Sequence, residues 1–309
     1  MGRYIGELID EVRRDAENED TSSISSEDFL RYFNYGQQEL QALILAEKAT
    51  IFQEVVDIDL VVNQAEYTIP DNVWLGESIV DVKVSQSSDE RDLVEIREIS
   101  ESRRSFDTGA PKAYTRRAGK IYLTPVPDRS QGFLRVVYER ELDSLDLRRG
   151  TIEAVTVAAG SITANTLDLD VATDDATRLG AVVDKYLCVC DKDGTPTAYN
   201  IPFTSYNSSS GLFTHLIHAL GTGEAVAVGD YVTVGKYSTT HLTKLNSKIV
   251  ERYLQLYVGL KIFRRDSNND ASEQADELAS LKKQIVESYQ SIREDEGEIQ
   301  IDDPSFFDI

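Results

Sequence analysis

Residues 109–128 read GAPKAYTRRAGKIYLTPVPD, three prolines, two tyrosines and a knot of bases in one short stretch. It is open to three readings: a proline-rich recognition peptide, a basic nucleic-acid patch, or part of a fold. Pro111, Pro125 and Pro127 are not spaced as a polyproline ligand. Gly109 and Pro111 lead into a strand, Arg116-Arg117-Ala118-Gly119 turns it, and Pro125–Pro127 ends the return strand because proline has no N–H for the ladder. The stretch therefore predicts a β-hairpin with arginines at its turn.

The residues around it have the same texture. FQEVVDIDLVV and EYTIP are β-branched and partly alternating, two strands around a turn at Asn63–Gln64. WLGESIVDVKV predicts a strand with Val80, Val82 and Val84 on one face. In LVEIREISESRRSF, Ile96, Ile99 and Phe106 fit a strand end followed by a short helix. GFLRVVYERELDSL is a strand entering a polar loop. Residues 51–147 thus read as a small antiparallel β unit with a helix.

Helices flank this unit. Ile5, Leu8, Ile9 and Val12 recur at helical spacing. Ser25 or Ser26 caps a second helix with an apolar stripe of Phe29, Phe33, Leu40, Leu43 and Ile44. Its Gln37, Gln38 and Gln41 suit packing against another chain as well as a solvated face. Near the C-terminus, Thr239 or Thr240 is a candidate cap for a helix running through Leu242, Leu245, Ile249, Tyr253, Leu256, Leu260 and Phe263. Asp270 and Glu273 resemble a capping box before a last helix striped by Leu278, Leu281, Ile285, Tyr289 and Ile292.

Between them, residues 150–238 are rich in Val, Thr, Ala and Gly and read as short strands of a small barrel or sandwich. Asp193–Gly194 is the pair expected at a hairpin turn. The expected fold is α+β: a helical domain of residues 1–149 and 239–294 that includes the small antiparallel β unit, an inserted all-β domain at 150–238, and a tail at 295–309.

Acids outnumber bases 54 to 32, a formal net charge of −22, so the surface as a whole repels nucleic acid. Only two cysteines are present, two residues apart on a predicted strand, too close to form a good disulfide, which suits a reducing compartment. No apolar run reaches the roughly 20 residues of a membrane span.

Catalytic chemistry has no positive signal. Asp191, Asp193 and Gly194 resemble the start of a calcium loop, but Pro202 stands where its bidentate Glu belongs, so a tight turn is the better reading. Cys188, Cys190, His215 and His218 do not have zinc-site spacing, and the cysteines lie in an apolar run as core residues do. There is no glycine-rich phosphate loop and no nucleophile elbow. We expect no catalytic residue, metal or cofactor.

Charge is unevenly placed. From Arg91 to Arg135 ten bases face six acids, inside an acidic chain. Either this is a solvated loop, or Arg103, Arg104, Arg116 and Arg117 form a patch that meets an acidic surface on a neighbouring copy. DNA binding ranks third, opposed by the remaining surface. The tail residues Pro304, Phe306, Phe307 and Ile309 are disordered or dock on a partner, and docking is favoured.

The order of the motifs resembles a known family. FNYGQQEL, EYTIP, GAPKAYTRRAGKIYLTPVPD and LRVVYERELDSL, in that order, look like the head-to-tail connector (adaptor) proteins of tailed bacteriophages. The positions carrying the likeness are Asn34 and Gln37; Tyr67, Ile69 and Pro70; Gly109, Pro111 and Tyr114; Ile121, Leu123, Pro125 and Pro127; and Tyr138. The β insert departs from the simple pattern and is similar to the larger ring proteins of crAss-like phages. The resemblance implies a virion protein, in the host cytoplasm before assembly, forming a dodecameric ring under the portal. It implies contacts with the portal and with adjacent ring or tail proteins, and genomic DNA passing through the lumen without specific binding. The C-terminal tail is then the segment that reaches the portal or a neighbouring ring. The alternatives are a tail-associated cell-wall hydrolase, or a binding module that attaches tail or cargo proteins through the β insert.

Overall fold

The structure is a computed structural model that describes residues 3–15, 24–47, 50–87, 89–156, 160–164, 186–207, 209–215, 224–242, 245, 247–265 and 272–296. The chain divides into two compact units, Thr50–Glu141 on one side and Met1–Ala49 with Leu142–Ile309 on the other.

The unit 50–141 contains the predicted hairpin, with Arg116 and Arg117 in its first strand rather than in its turn. Strands β6 (Ala113–Arg117) and β7 (Lys120–Thr124) pair antiparallel with Arg117 opposite Lys120. Ala118 and Gly119 both have positive φ, 51° and 72°, the two-residue turn whose twist matches a hairpin. Strand β7 ends at Thr124, directly before Pro125. Around it lie β1 (Gln53–Asp59), β2 (Glu66–Thr68), β3 (Ile79–Ser85), β4 (Val94–Glu95), β5 (Arg97–Glu98) and β8 (Phe133–Glu139). They form two four-stranded sheets, β1-β8-β3-β4 and β2-β7-β6-β5. Both sheets feed one core: Val82, Leu134 and Val136 from the first, Tyr67, Ile121 and Leu123 from the second.

Two expectations for this unit are corrected. Val80 is exposed while Val82 and Val84 are buried, because a bulge between Ile79 and Asp81 shifts the alternation. The short helix after Ile96 is instead the pair β4 and β5 with a single 3-10 turn at Glu101–Arg103. Sheet bonds hold this backbone: Ile96 N–H donates to Val82 O at 3.0 Å and Ile99 N–H to Tyr114 O at 2.8 Å.

The other unit combines helices with the inserted barrel. Helix α1 (Ile5–Asp15) buries the predicted Ile5, Leu8, Ile9 and Val12. Helix α2 (Ser26–Ala46) is capped by Ser25, whose Oγ accepts from Asp28 N–H at 3.2 Å. Helix α3 (Lys248–Arg265) begins later than expected: Ser247 Oγ accepts from Val250 N–H at 3.2 Å, and Thr239 belongs to a strand. Its buried positions include Val250, Tyr253, Leu254 and Val258. Gly36 of α2 lets α3 come close, since a Cβ there would lie 2.9 Å from Leu254 and Tyr257. Helix α4 (Ser272–Glu296) packs on α3, where Arg252 pairs with Glu277 at 3.1 Å, and on α2, where Glu39 pairs with Lys282 at 3.0 Å. Asp270 of the expected capping box lies outside the described residues.

Strand β9 (Ser144–Leu145) pairs parallel with β16 (Ser238–Thr239). Between them β10 (Gly150–Thr156), β11 (Ser161–Ala164), β12 (Tyr186–Cys190), β13 (Pro196–Asn207), β14 (Leu212–His215) and β15 (Tyr231–Val234) close a barrel in the order β10-β11-β14-β13-β12-β15. Of the two expected forms, the insert is the barrel. Its interior is filled by side chains such as Ile152, Ile162, Leu187, Ile201 and Phe213. The fold is α+β with an inserted all-β domain.

Candidate functional site

The predicted basic patch separates by strand parity. Arg116 and Arg117 are neighbours in sequence, so they point to opposite faces of β6. Arg116 shares the face of the core residue Tyr114. It donates from Nε and Nη2 to Glu98 Oε1 and Oε2 at 3.0 and 2.9 Å, and from Nη1 to Glu77 O at 2.7 Å. Hydrogen bonding to Glu98 holds its pKa above the ordinary arginine value. Arg116 is therefore occupied within its own unit.

Arg117 is exposed on the outer face, which it shares with Lys120 and Tyr122. Lys120 pairs with Glu66, lowering that carboxyl's pKa through their hydrogen bond. Arg104 lies flat on this face, its guanidinium 4.4 Å from the Tyr122 ring centroid and 4.9 Å from that of Phe106. Glu101 pairs with Arg104 at 3.4 Å. Arg103 is exposed, and among the described residues neither it nor Arg117 has an ion pair. The outcome is a layered stack of Tyr122, Arg104 and Phe106, with the Phe106 side 76% exposed.

The outer face of the other sheet has different chemistry. Along β1, Val55, Asp57 and Asp59 point outward, alternating with Val56 and Ile58, which pack on the core. Val55 is 57% exposed, and Val61 and Val62 follow it into the turn, also exposed. Arg135 bridges Asp57, at 2.8 and 2.7 Å, and Glu90 at 3.0 Å. Strand β1 is the end strand of its sheet.

In the helical and barrel unit the polar residues serve the fold. Asn34, Gln37 and Gln41 lie on one face of α2 and clamp the backbone of 142–145. Asn34 donates to Leu145 O at 2.9 Å and accepts from Leu145 N–H at 2.7 Å. Gln37 donates to Asp143 O at 2.8 Å, and Gln41 accepts from Leu142 N–H at 3.0 Å. Gln37 and Gln41 are buried, so the expectation of a foreign partner or solvent for them is corrected; Gln38 is exposed. Asn34 and Gln37, which carry part of the family resemblance, are thus clamp residues.

Sequence reasoning missed Arg149. This residue, 1% exposed, pairs with Asp146 and with Glu27 of α2, and Asp146 also accepts from Val234 N–H of β15 at 2.8 Å. Burial by itself lowers the Arg149 pKa, but the Asp146 charge and the hydrogen bonds to Asp146 and Glu27 outweigh it and raise the pKa. No sequence pattern marks this residue, because one of its carboxylate partners, Glu27, lies on a distant segment of the chain.

The Asp193–Gly194 turn forms as expected. Asp191 Oδ1 accepts from Asp193 N–H at 2.9 Å and Thr195 N–H at 2.8 Å. Gly194 has φ +82°, and a Cβ there would lie 1.9 Å from His241 Nδ1. Burial, then the charge of Arg148, lowers the His241 pKa to about 4. Cys188 and Cys190 are free and buried, and burial pushes the Cys190 thiol up to about 11. Among the described residues no cluster of His, Cys, Asp and Glu is placed to hold a metal, and no helix is long and apolar enough to cross a membrane. His218 and the tail residues Pro304, Phe306, Phe307 and Ile309 lie outside the described residues, as does the side chain of His215.

No curated protein matches the chain. The SU10 adaptor protein family matches residues 4–180, which include α1, α2, the whole of 50–141 and the first two barrel strands. That family is made of phage structural proteins that join other head and tail components. With more than half of its length matched, the chain belongs to the SU10 adaptor protein family and is a structural adaptor of a phage virion.

Proposed function

We propose that the protein is one copy of an oligomeric ring, a dodecamer, in the head-to-tail connector, linking portal to tail and lining the channel for genomic DNA. Family membership across residues 4–180 carries this reading. The net charge of −22 supports it, because an acidic lumen lets DNA pass without gripping it. The tail with Pro304, Phe306, Phe307 and Ile309 is the segment we assign to the portal or an adjacent ring, where its apolar side chains find burial. The inserted barrel supports a narrower placing among the larger ring proteins of crAss-like phages.

Native mass spectrometry of the full chain tests the proposal. The expected result is a dominant species at twelve times the chain mass, and single-particle images of the virion neck should show the matching ring. A chain that stays monomeric in solution, with no ring density at the neck, overturns it.

A further inference from the structure

We infer that Phe106, held by Arg104 on Tyr122, is the anchor by which one copy docks on the β1 strand of a second copy. This deepens the ring reading and rests on it. The occupant follows from what the unit 50–141 exposes on its two outer faces.

The anchor is pre-ordered. The strap that bears Phe106 is pinned at both ends, by Ile99 N–H to Tyr114 O and by Val126 N–H to Asp107 O, each 2.8 Å. The Arg104 guanidinium fills the space between Phe106 and Tyr122. Folding thus meets much of the entropy cost of fixing an aromatic at an interface. The ring remains 76% exposed, so folding does not account for its hydrophobicity. Arg117 shares the sheet face of Tyr122 and Arg103 directly precedes Arg104, and both are exposed and without an ion pair among the described residues.

The receiving surface is complementary in both respects. Strand β1 and the turn after it expose Val55, Val61 and Val62 to meet an aromatic ring. Asp59 stands among them to meet an arginine, while Asp57 is held by Arg135 of its own copy. The two surfaces are different, on the outer faces of two sheets with a shared core. A contact between unlike surfaces is heterologous, and repetition of it generates a closed ring when the rotation closes.

The test uses two full-length variants, each lacking one side of the contact. Phe106→Asp removes the anchor. Val55→Asp with Val62→Asp spoils the receiving strand. These positions are exposed, and a circular dichroism melt of each variant verifies that it folds. Loss of a central aromatic anchor weakens association by at least about thirty-fold. Each variant alone should give a monomer in native mass spectrometry. Mixed in equal amounts they should give a dimer and nothing larger, because each pair retains one intact junction. Rings of unchanged size from either folded variant overturn this contact and leave the ring reading standing. A wild-type chain that never leaves the monomer overturns both.

Discussion

The β unit of residues 50–141 and the inserted barrel are both all-β, with comparable side chains in their cores, yet they present opposite surfaces. Eight of the eleven exposed large hydrophobic residues lie in 50–141, from Ile51 to Phe106, and the barrel strands and their connections supply only Val228, among the described residues. The physical reason is closure. A closed barrel has no edge strand, whereas two open sheets leave four edges and two outer faces. The barrel is also bound to its own unit by the buried Arg149, paired with Asp146 and Glu27, and by the close approach of Gly194 to the His241 ring. The difference teaches that the open β unit is where contacts with other molecules have room to form, and that the barrel junction spends its polar groups internally.

The largest expected effect tests the barrel junction. Arg149→Leu leaves Asp146 buried without its cation, which costs about 3–5 kcal/mol. Two signals report the units separately. The only tryptophan, Trp74, lies in 50–141, while every described α-helix lies in the other unit. Ellipticity at the helical band should therefore lose most of its denaturation midpoint, with Trp74 fluorescence shifted far less. Equal shifts in both signals would break the comparison, because they would make the two regions one cooperative unit.

A smaller effect compares one turn from each region. Gly194→Ala places a Cβ against the His241 ring at φ +82°, so left-handed strain adds to overpacking for a total of about 2–4 kcal/mol. Gly119→Ala at φ +72° meets nothing within 4 Å and costs only the backbone term, about 1 kcal/mol. Urea titrations of both variants, read by the same two signals, measure the difference. Similar losses at the two turns would show that the hairpin turn in 50–141 is as tightly packed as the barrel's.

Much of this architecture was legible in the residues themselves. The hairpin at 113–124 was readable because turn chemistry is local: the Ala118–Gly119 pair and Pro125 mark its turn and its end. The stripe of α1 and the Ser25 cap were readable for the same reason. The start of α3 was not, because Leu242 and Leu245 are buried without being helical, and burial alone imitates a stripe. The exposure of Val80 depends on a bulge that pairing with β8 creates, a long-range property with no local mark. Composition located the local excess of bases, but only strand parity showed that Arg116 and Arg117 serve different faces.

That division sets the smallest effect and the finest test. Arg116 is part-exposed in its pair with Glu98, so Arg116→Met should cost less than about 1 kcal/mol and shift only the Trp74 signal. It should leave the oligomer mass unchanged. Arg117, exposed and without an ion pair among the described residues, should behave in the reverse way. Arg117→Glu should leave both melts in place and raise the protein concentration at which the oligomer forms, with the penalty fading at high salt as screening weakens surface charge. Analytical ultracentrifugation at two salt concentrations reads this directly. An Arg116 variant that fails to assemble while Arg117→Glu assembles normally would reverse the assignment of faces and make the core-side arginine the one that meets a partner.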